Sequence, residues 1–158
     1  MRTLTVAALA LAASLAAVPL SWAQTPATPA APAAAPAART PSPPGAEVYI
    51  ISPKNGAKVK SPVLVQFGLK PVMGVAPAGV KFDNTGHHHL LIDTDAPADM
   101  SAPLPATDNI KHFGKGQTET SLTLPPGKHT LQLLLGDQSH IPHEPPVISK
   151  KITITVEK

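Results

Sequence analysis

With 158 residues, a formal charge of +3 and no cysteine, the chain has room for one ordinary domain and can form neither a disulfide nor a lipid anchor on a signal-peptide cysteine. Residues 46–158 carry 11 lysines and no arginine against 10 acidic residues, so the pI near 9.3 reflects a thin lysine excess and not a basic patch. With no arginine there and only Tyr49, Phe67, Phe82 and Phe113 as aromatics, nucleic-acid binding is excluded.

The chain opens with Arg2 and an uncharged Ala- and Leu-rich run from Leu4 to Leu20. Ser21-Trp22-Ala23 then supplies the small-x-small pattern of a cleavage site. Residues 1–23 are therefore expected to be an export signal, leaving Gln24 as the new N-terminus and a periplasmic or secreted protein with no stable membrane insertion. An uncleaved anchor is the alternative, since the run is almost long enough to span a bilayer. Residues 24–45, "QTPATPAAPAAAPAARTPSPPG", are nearly all Ala, Pro, Thr and Ser. They offer too little large apolar surface to offset their ordering entropy, and read as an extended spacer that buries nothing.

From residue 46 onward, short strands are broken by proline and glycine. "EVYII" (47–51) is β-branched and ends at Ser52-Pro53, and Asn55-Gly56 is a turn. "SPVLVQFGLK" places Val63, Val65, Phe67 and Leu69 on one face by strict alternation. "HHHLLID" (87–93) and "TETSLTL" (118–124) are further strands. Pro125-Pro126-Gly127 turns the chain into "KHTLQLLLGD", and "ISKKITITVEK" closes with Ile152, Ile154 and Val156 on one face. Segments 94–117 and 136–147 read as long loops. About seven strands without a helical period predict an all-β, immunoglobulin-like antiparallel β-sandwich over 46–158, with a small β-barrel as the alternative.

Six of the seven histidines fall in three places: His87, His88 and His89 on one strand, His112 in the first long loop, and His140 and His143 in the second. Residues two apart on a strand share a face, so His87 and His89 point together and His88 away. Such a pair can present two imidazole nitrogens to one ion, and "SHIPHEPP" offers two more on a proline-stiffened loop. The expected ligands are therefore His87, His89, His140 and His143, with His88, His112, Asp93 and Asp137 as further candidates from the same segments. Imidazole without thiolate, and with only Met73 and Met100 in the domain, suits zinc or copper(II) better than copper(I). His129, just after the Pro-Pro-Gly turn, reads instead as a structural corner residue.

No catalytic residue is assigned: there is no cysteine and no G-x-S-x-G elbow. His87, His89, His112 and His140 come in the broad order of a superoxide dismutase copper site, but that reading lacks the cysteines and any arginine after residue 46. A structural or interaction domain of the cell envelope without metal is the other alternative.

"GHHHLLID" (86–93), "HFGKGQTE" (112–119), "LPPGKHTLQLLLGD" (124–137) and "HIPHEPPVISKKITITV" (140–156) together resemble a bacterial exported family, domain of unknown function 4399, over about residues 47–157. The resemblance implies an exported, single-domain, immunoglobulin-like protein. It supplies neither ligands nor a reaction, so the site rests on the residues themselves.

Overall fold

The computed structural model describes residues 39–158; the expected export signal and residues 24–38 of the expected spacer lie outside the described residues. Nine strands follow in chain order: β1 (Val48–Ser52), β2 (Lys58–Lys60), β3 (Val63–Leu69), β4 (Gly74–Val75), β5 (Thr85–Ile92), β6 (Ile110–His112), β7 (Glu119–Leu122), β8 (Gly127–Gly136) and β9 (Ile152–Glu157). Among the described residues the fold is all-β. One sheet has the order β1-β3-β7, and the other has the order β2-β9-β8-β5-β4 with β6 also paired to β5.

The two sheets form a sandwich because their alternating apolar rows meet. Val48, Val63, Val65, Phe67 and Leu122 from the small sheet pack with Leu90, Ile92, Leu131, Leu133, Leu135, Ile154 and Val156 from the large one in a single cluster. These are the residues that period-2 alternation places inward, and their burial is the main driving force for the fold.

Two features depart from a purely antiparallel seven-stranded reading. β2 pairs with β9 and β4 with β5 in parallel. The first arises because the Asn55-Gly56 turn docks on β9: Thr153 N–H donates to Asn55 Oδ1, Gly56 N–H to the Thr153 carbonyl, and Thr155 N–H to the Ala57 carbonyl. The chain then leaves the turn running alongside β9. The second departure is β6, which lies inside a segment read as loop. Asn109 holds it in place by exchanging hydrogen bonds with Ile92, and the Thr107 hydroxyl accepts the Ile110 N–H.

β5 is covered on both faces. Leu91 and Leu134, on the face away from the small sheet, pack with Leu104 and Ile110 from the long segment that follows β5. As a result every residue from Gly86 to Ile92 is buried. A strand covered on both faces normally carries a continuous apolar run. Here three consecutive positions of that run are histidine, which is the unusual feature of the fold.

The structured part begins before residue 46. Arg39 Nε–H donates to the Pro142 carbonyl at 2.9 Å, and its guanidinium also reaches the Glu144 carboxylate and the His143 carbonyl. The Thr40 hydroxyl donates to Asp137 Oδ2 at 2.7 Å, and Ser42 N–H and Glu144 N–H donate to the Glu144 and Thr40 carbonyls, both at 2.9 Å. The expectation of an inert spacer up to residue 45 is thus corrected for residues 39–44: proline-rich chain can still satisfy its backbone on a neighbouring loop. Deleting residues 39–44 is expected to lower the melting temperature by roughly 5–10 °C, since several net hydrogen bonds of about 1 kcal/mol each are lost. Calorimetry of the deletion variant checks this, and an unchanged transition would mean the strap does not hold in solution.

Candidate metal centre

Strand alternation sends His88 toward the small sheet and His87 and His89 to the opposite face of β5. His88 lies against Phe67 with ring centres 5.1 Å apart, and its Nδ1 donates to the Gln117 carbonyl at 3.3 Å. It belongs to the core. His87 and His89 continue the Leu91 row, with ring centres 4.8 Å apart.

The register of β6 completes a third side. His112 is the cross-strand partner of His89, and such pairs share a face, so its ring stacks on His89 at 5.1 Å and 24° and meets His87 at 4.9 Å. The fourth side is His140, whose ring stands 4.4 Å from His112, 4.9 Å from His87 and 5.9 Å from His89. One ring nitrogen each of His87, His89 and His112 lie within 4.8 Å of one another, and His140 stands beside this trio by its ring and outside it by its nitrogens. Two of the four rings are wholly buried, while His140 is half-buried and His112 is exposed. The cluster is a cup with its floor on β5 and its mouth at the surface.

Glycine makes room for this crowding. Gly136 faces His87 across β8, and a Cβ there would lie 2.8 Å from Cε1 of His89 and 3.2 Å from its Nδ1. A Cβ on Gly114 would lie 2.5 Å from Nε2 of His112. Both contacts are closer than carbon atoms tolerate, so only glycine permits the rings to lie where they do.

His140 is aimed by the turn that carries it. Asp137 Oδ1 accepts the Ser139 N–H at 2.8 Å and the Ile141 N–H at 3.0 Å, and the His140 N–H donates to the Asp137 carbonyl at 2.9 Å. Leu104 N–H donates to the His140 carbonyl at 2.8 Å. His140 itself sits at φ +66°, a left-handed conformation that is uncommon for non-glycine residues but that histidine adopts more readily than most.

Of the residues expected from sequence, His87, His89 and His140 come together, and His112 joins them. His143 does not. Its Nε2 donates to the Thr85 carbonyl at 3.1 Å, and its ring lies under Gly86, on the side of β5 that His88 shares. Asp137 lies near His87, and its two oxygens accept from Thr40, Ser139 and Ile141. Asp93 is committed elsewhere: its Oδ2 accepts from His129 Nδ1 at 2.7 Å and its Oδ1 accepts the Thr130 N–H at 2.7 Å. The signal for His112 was available only through the β5–β6 register.

The electrostatics keep the floor rings neutral. Burial, reinforced by the neighbouring His112 and His140, lowers the His87 pKa to about 4. Burial, with His87, His112 and His140 adding to it, lowers that of His89 to about 3. Burial alone takes His88 to about 4 against the pull of its bond to Gln117. A neutral imidazole has one N–H and one lone pair, and among the described residues neither nitrogen of His87 or His89 has a hydrogen-bond partner in good geometry, the nearest being the His87 backbone beside the His89 ring. Leaving a buried polar group unpaired costs about 1–3 kcal/mol, so four such atoms side by side need a physical reason.

The lowered values fix the sign of the acid response. Unfolded histidines near 6.5 bind protons that the folded rings refuse, so stability is complete above about pH 6.5 and is lost progressively as pH falls from there toward 4. Urea denaturation of the metal-free protein should therefore show a steady decline between pH 7 and 4.5, and a flat profile would contradict this environment.

The family model described as Domain of unknown function (DUF4399) matches residues 65–157, more than half of the chain and all four histidines of the cup. No curated protein matches the chain, and no solved structure does.

Proposed function

We propose that this chain, which belongs to the DUF4399 family, is an exported binding module that holds one zinc or copper(II) ion through His87, His89, His112 and His140. The single observation that carries the proposal is the convergence of one ring nitrogen each of His87, His89 and His112 within 4.8 Å of one another, two of these rings being fully buried. A metal ion uses the lone pair of a neutral ring, which is the form burial enforces here.

The ring spacing favours a tetrahedral ion. With metal–nitrogen bonds of about 2.0–2.1 Å, four imidazoles around a tetrahedral centre have ring centres about 5 Å apart, whereas a square plane separates two of the pairs by about 6.4 Å. The six ring-centre distances run from 4.4 to 5.9 Å, and the ring nitrogens of His87, His89 and His112 already converge, which supports zinc first and copper(II) second, with His140 as the fourth ring at the rim. With all four rings bound a zinc ion is saturated, and such a site stores, carries or is braced by metal. The same reading takes the mature protein to start at Gln24, after the Ser21-Trp22-Ala23 pattern, with the cup then outside the cytoplasm.

The test is metal analysis of protein purified natively from the exported fraction, followed by zinc titration of the stripped protein. About one equivalent of zinc or copper per chain is expected. Absence of both, together with no binding on titration, would favour a purely structural envelope domain. Gly136→Ala, which pushes its methyl group into the His89 ring, is expected to weaken zinc binding by roughly tenfold (about 1.4 kcal/mol) while the sandwich stays folded. Wild-type affinity in that variant would show that the His89 ring is not a ligand.

A further inference from the structure

We infer that the strap Arg39–Ser42 is a positioning device for the metal site, coupling the segment that enters the domain to the ligand His140. The inference rests on the proposed four-histidine site and adds a regulatory connection to it.

Three of the four rings sit on paired strands, β5 and β6, and are fixed by sheet register. His140 is different: it lies on a turn outside the ladder, at a positive φ that the turn's own hydrogen bonds hold. What holds that turn is the Asp137 carboxylate. One oxygen receives the two N–H groups that flank His140, at Ser139 and Ile141, and the other receives the Thr40 hydroxyl at 2.7 Å. Thr40 thus locks the carboxylate in the rotamer that shapes the turn. The far end of the same loop is gripped as well. Arg39 binds the Pro142 and His143 carbonyls and the Glu144 side chain, while Ser42 and Thr40 pair in parallel with Glu144.

The strap and the ligand therefore share one loop, residues 137–145, clamped from both ends. Coupling of this kind is reciprocal: a strap in place tightens the metal, and a bound metal tightens the strap. Detaching the strap, whether by pulling on the chain before it or by a partner that captures it, loosens the fourth ligand and lowers affinity without touching a coordinating atom.

Thr40→Val removes the hydroxyl and keeps the shape. With copper(II) as a paramagnetic probe, the wild type is expected to show four coordinating imidazole nitrogens by pulsed electron paramagnetic resonance. Thr40→Val is expected to show three, as His140→Ala does, with affinity reduced about tenfold; Thr40→Ser should restore both. In the wild type, zinc should slow hydrogen exchange at the Ser42 and Glu144 amides, a response that needs no variant. An unchanged spectrum and affinity in Thr40→Val, or no zinc effect on those amides, overturns the strap while leaving the four-histidine site standing. A wild type that binds neither metal, or binds as well without His87 and His89, overturns the site and the strap with it.

Discussion

Replacing His87 and His89 together by alanine is expected to reduce zinc and copper(II) affinity by at least about a thousandfold, since two of four ligands and the whole floor of the cup are lost. Thermal denaturation reports the same loss directly. A ligand at about 100 times its dissociation constant stabilises the native state by about 2.7 kcal/mol. In a domain of this size that is a rise of roughly 8–12 °C in melting temperature. The wild type should show that rise with zinc, and the double variant none. His88→Ala and His143→Ala bear on the assignment from the other direction. Both rings are buried and bonded to backbone carbonyls away from the cup, so these variants should lose stability yet still respond to zinc. A zinc response in the double variant equal to that of the wild type would remove the metal reading of the triple-histidine stretch.

The second large effect lies at the opposite end of β8. Nδ1 of His129 faces Asp93 Oδ2 at 2.7 Å and Nε2 faces the Pro125 carbonyl at 2.9 Å, so both ring nitrogens meet acceptors and both donate only in the imidazolium. The bond to Asp93, partly opposed by burial, raises the His129 pKa above 6.5. Asp93 in turn holds the Thr130 N–H from a backbone at φ +53°. His129→Ala leaves the carboxylate and the carbonyl without their donor, and is expected to cost about 2–3 kcal/mol, or a fall of roughly 10 °C. Zinc affinity should not change, because this corner is remote from the cup. The pH sign is opposite to that of the strand histidines: the stabilisation from His129 is complete below about pH 6.5 and fades as pH rises through its raised value. Calorimetry of wild type and His129→Ala at pH 6 and pH 8.5 should show the gap between them narrowing at the higher pH. A cost below about 0.5 kcal/mol at pH 6 would mean that water replaces the ring without penalty.

How much of this was legible in the sequence differs from element to element. Period-2 alternation was enough for β3, β8 and β9, whose inward rows are Val, Leu, Ile or Phe apart from His129 at the start of β8. It also separated His88 from His87 and His89, because side-chain direction on a strand is a local property. The choice between His140 and His143 was not local. It depends on the Asp137 turn and a positive φ at His140, which composition does not encode. His112 was harder still, since β6 is only three residues long and its register against β5 is set by Asn109 in an otherwise polar segment. Residues 39–44 carry the composition of a spacer, and their hydrogen bonds are made to residues about a hundred positions away. Long-range pairing of polar backbone leaves no periodic trace in a sequence.

The most direct measurement of the central claim is anomalous diffraction at the zinc edge from crystals of the protein loaded with one equivalent of zinc. A single strong peak about 2.0–2.1 Å from a ring nitrogen of each of His87, His89, His112 and His140 is the predicted result. A peak at His143 or at the Asp93–His129 corner, or no ordered zinc on the chain, would contradict it.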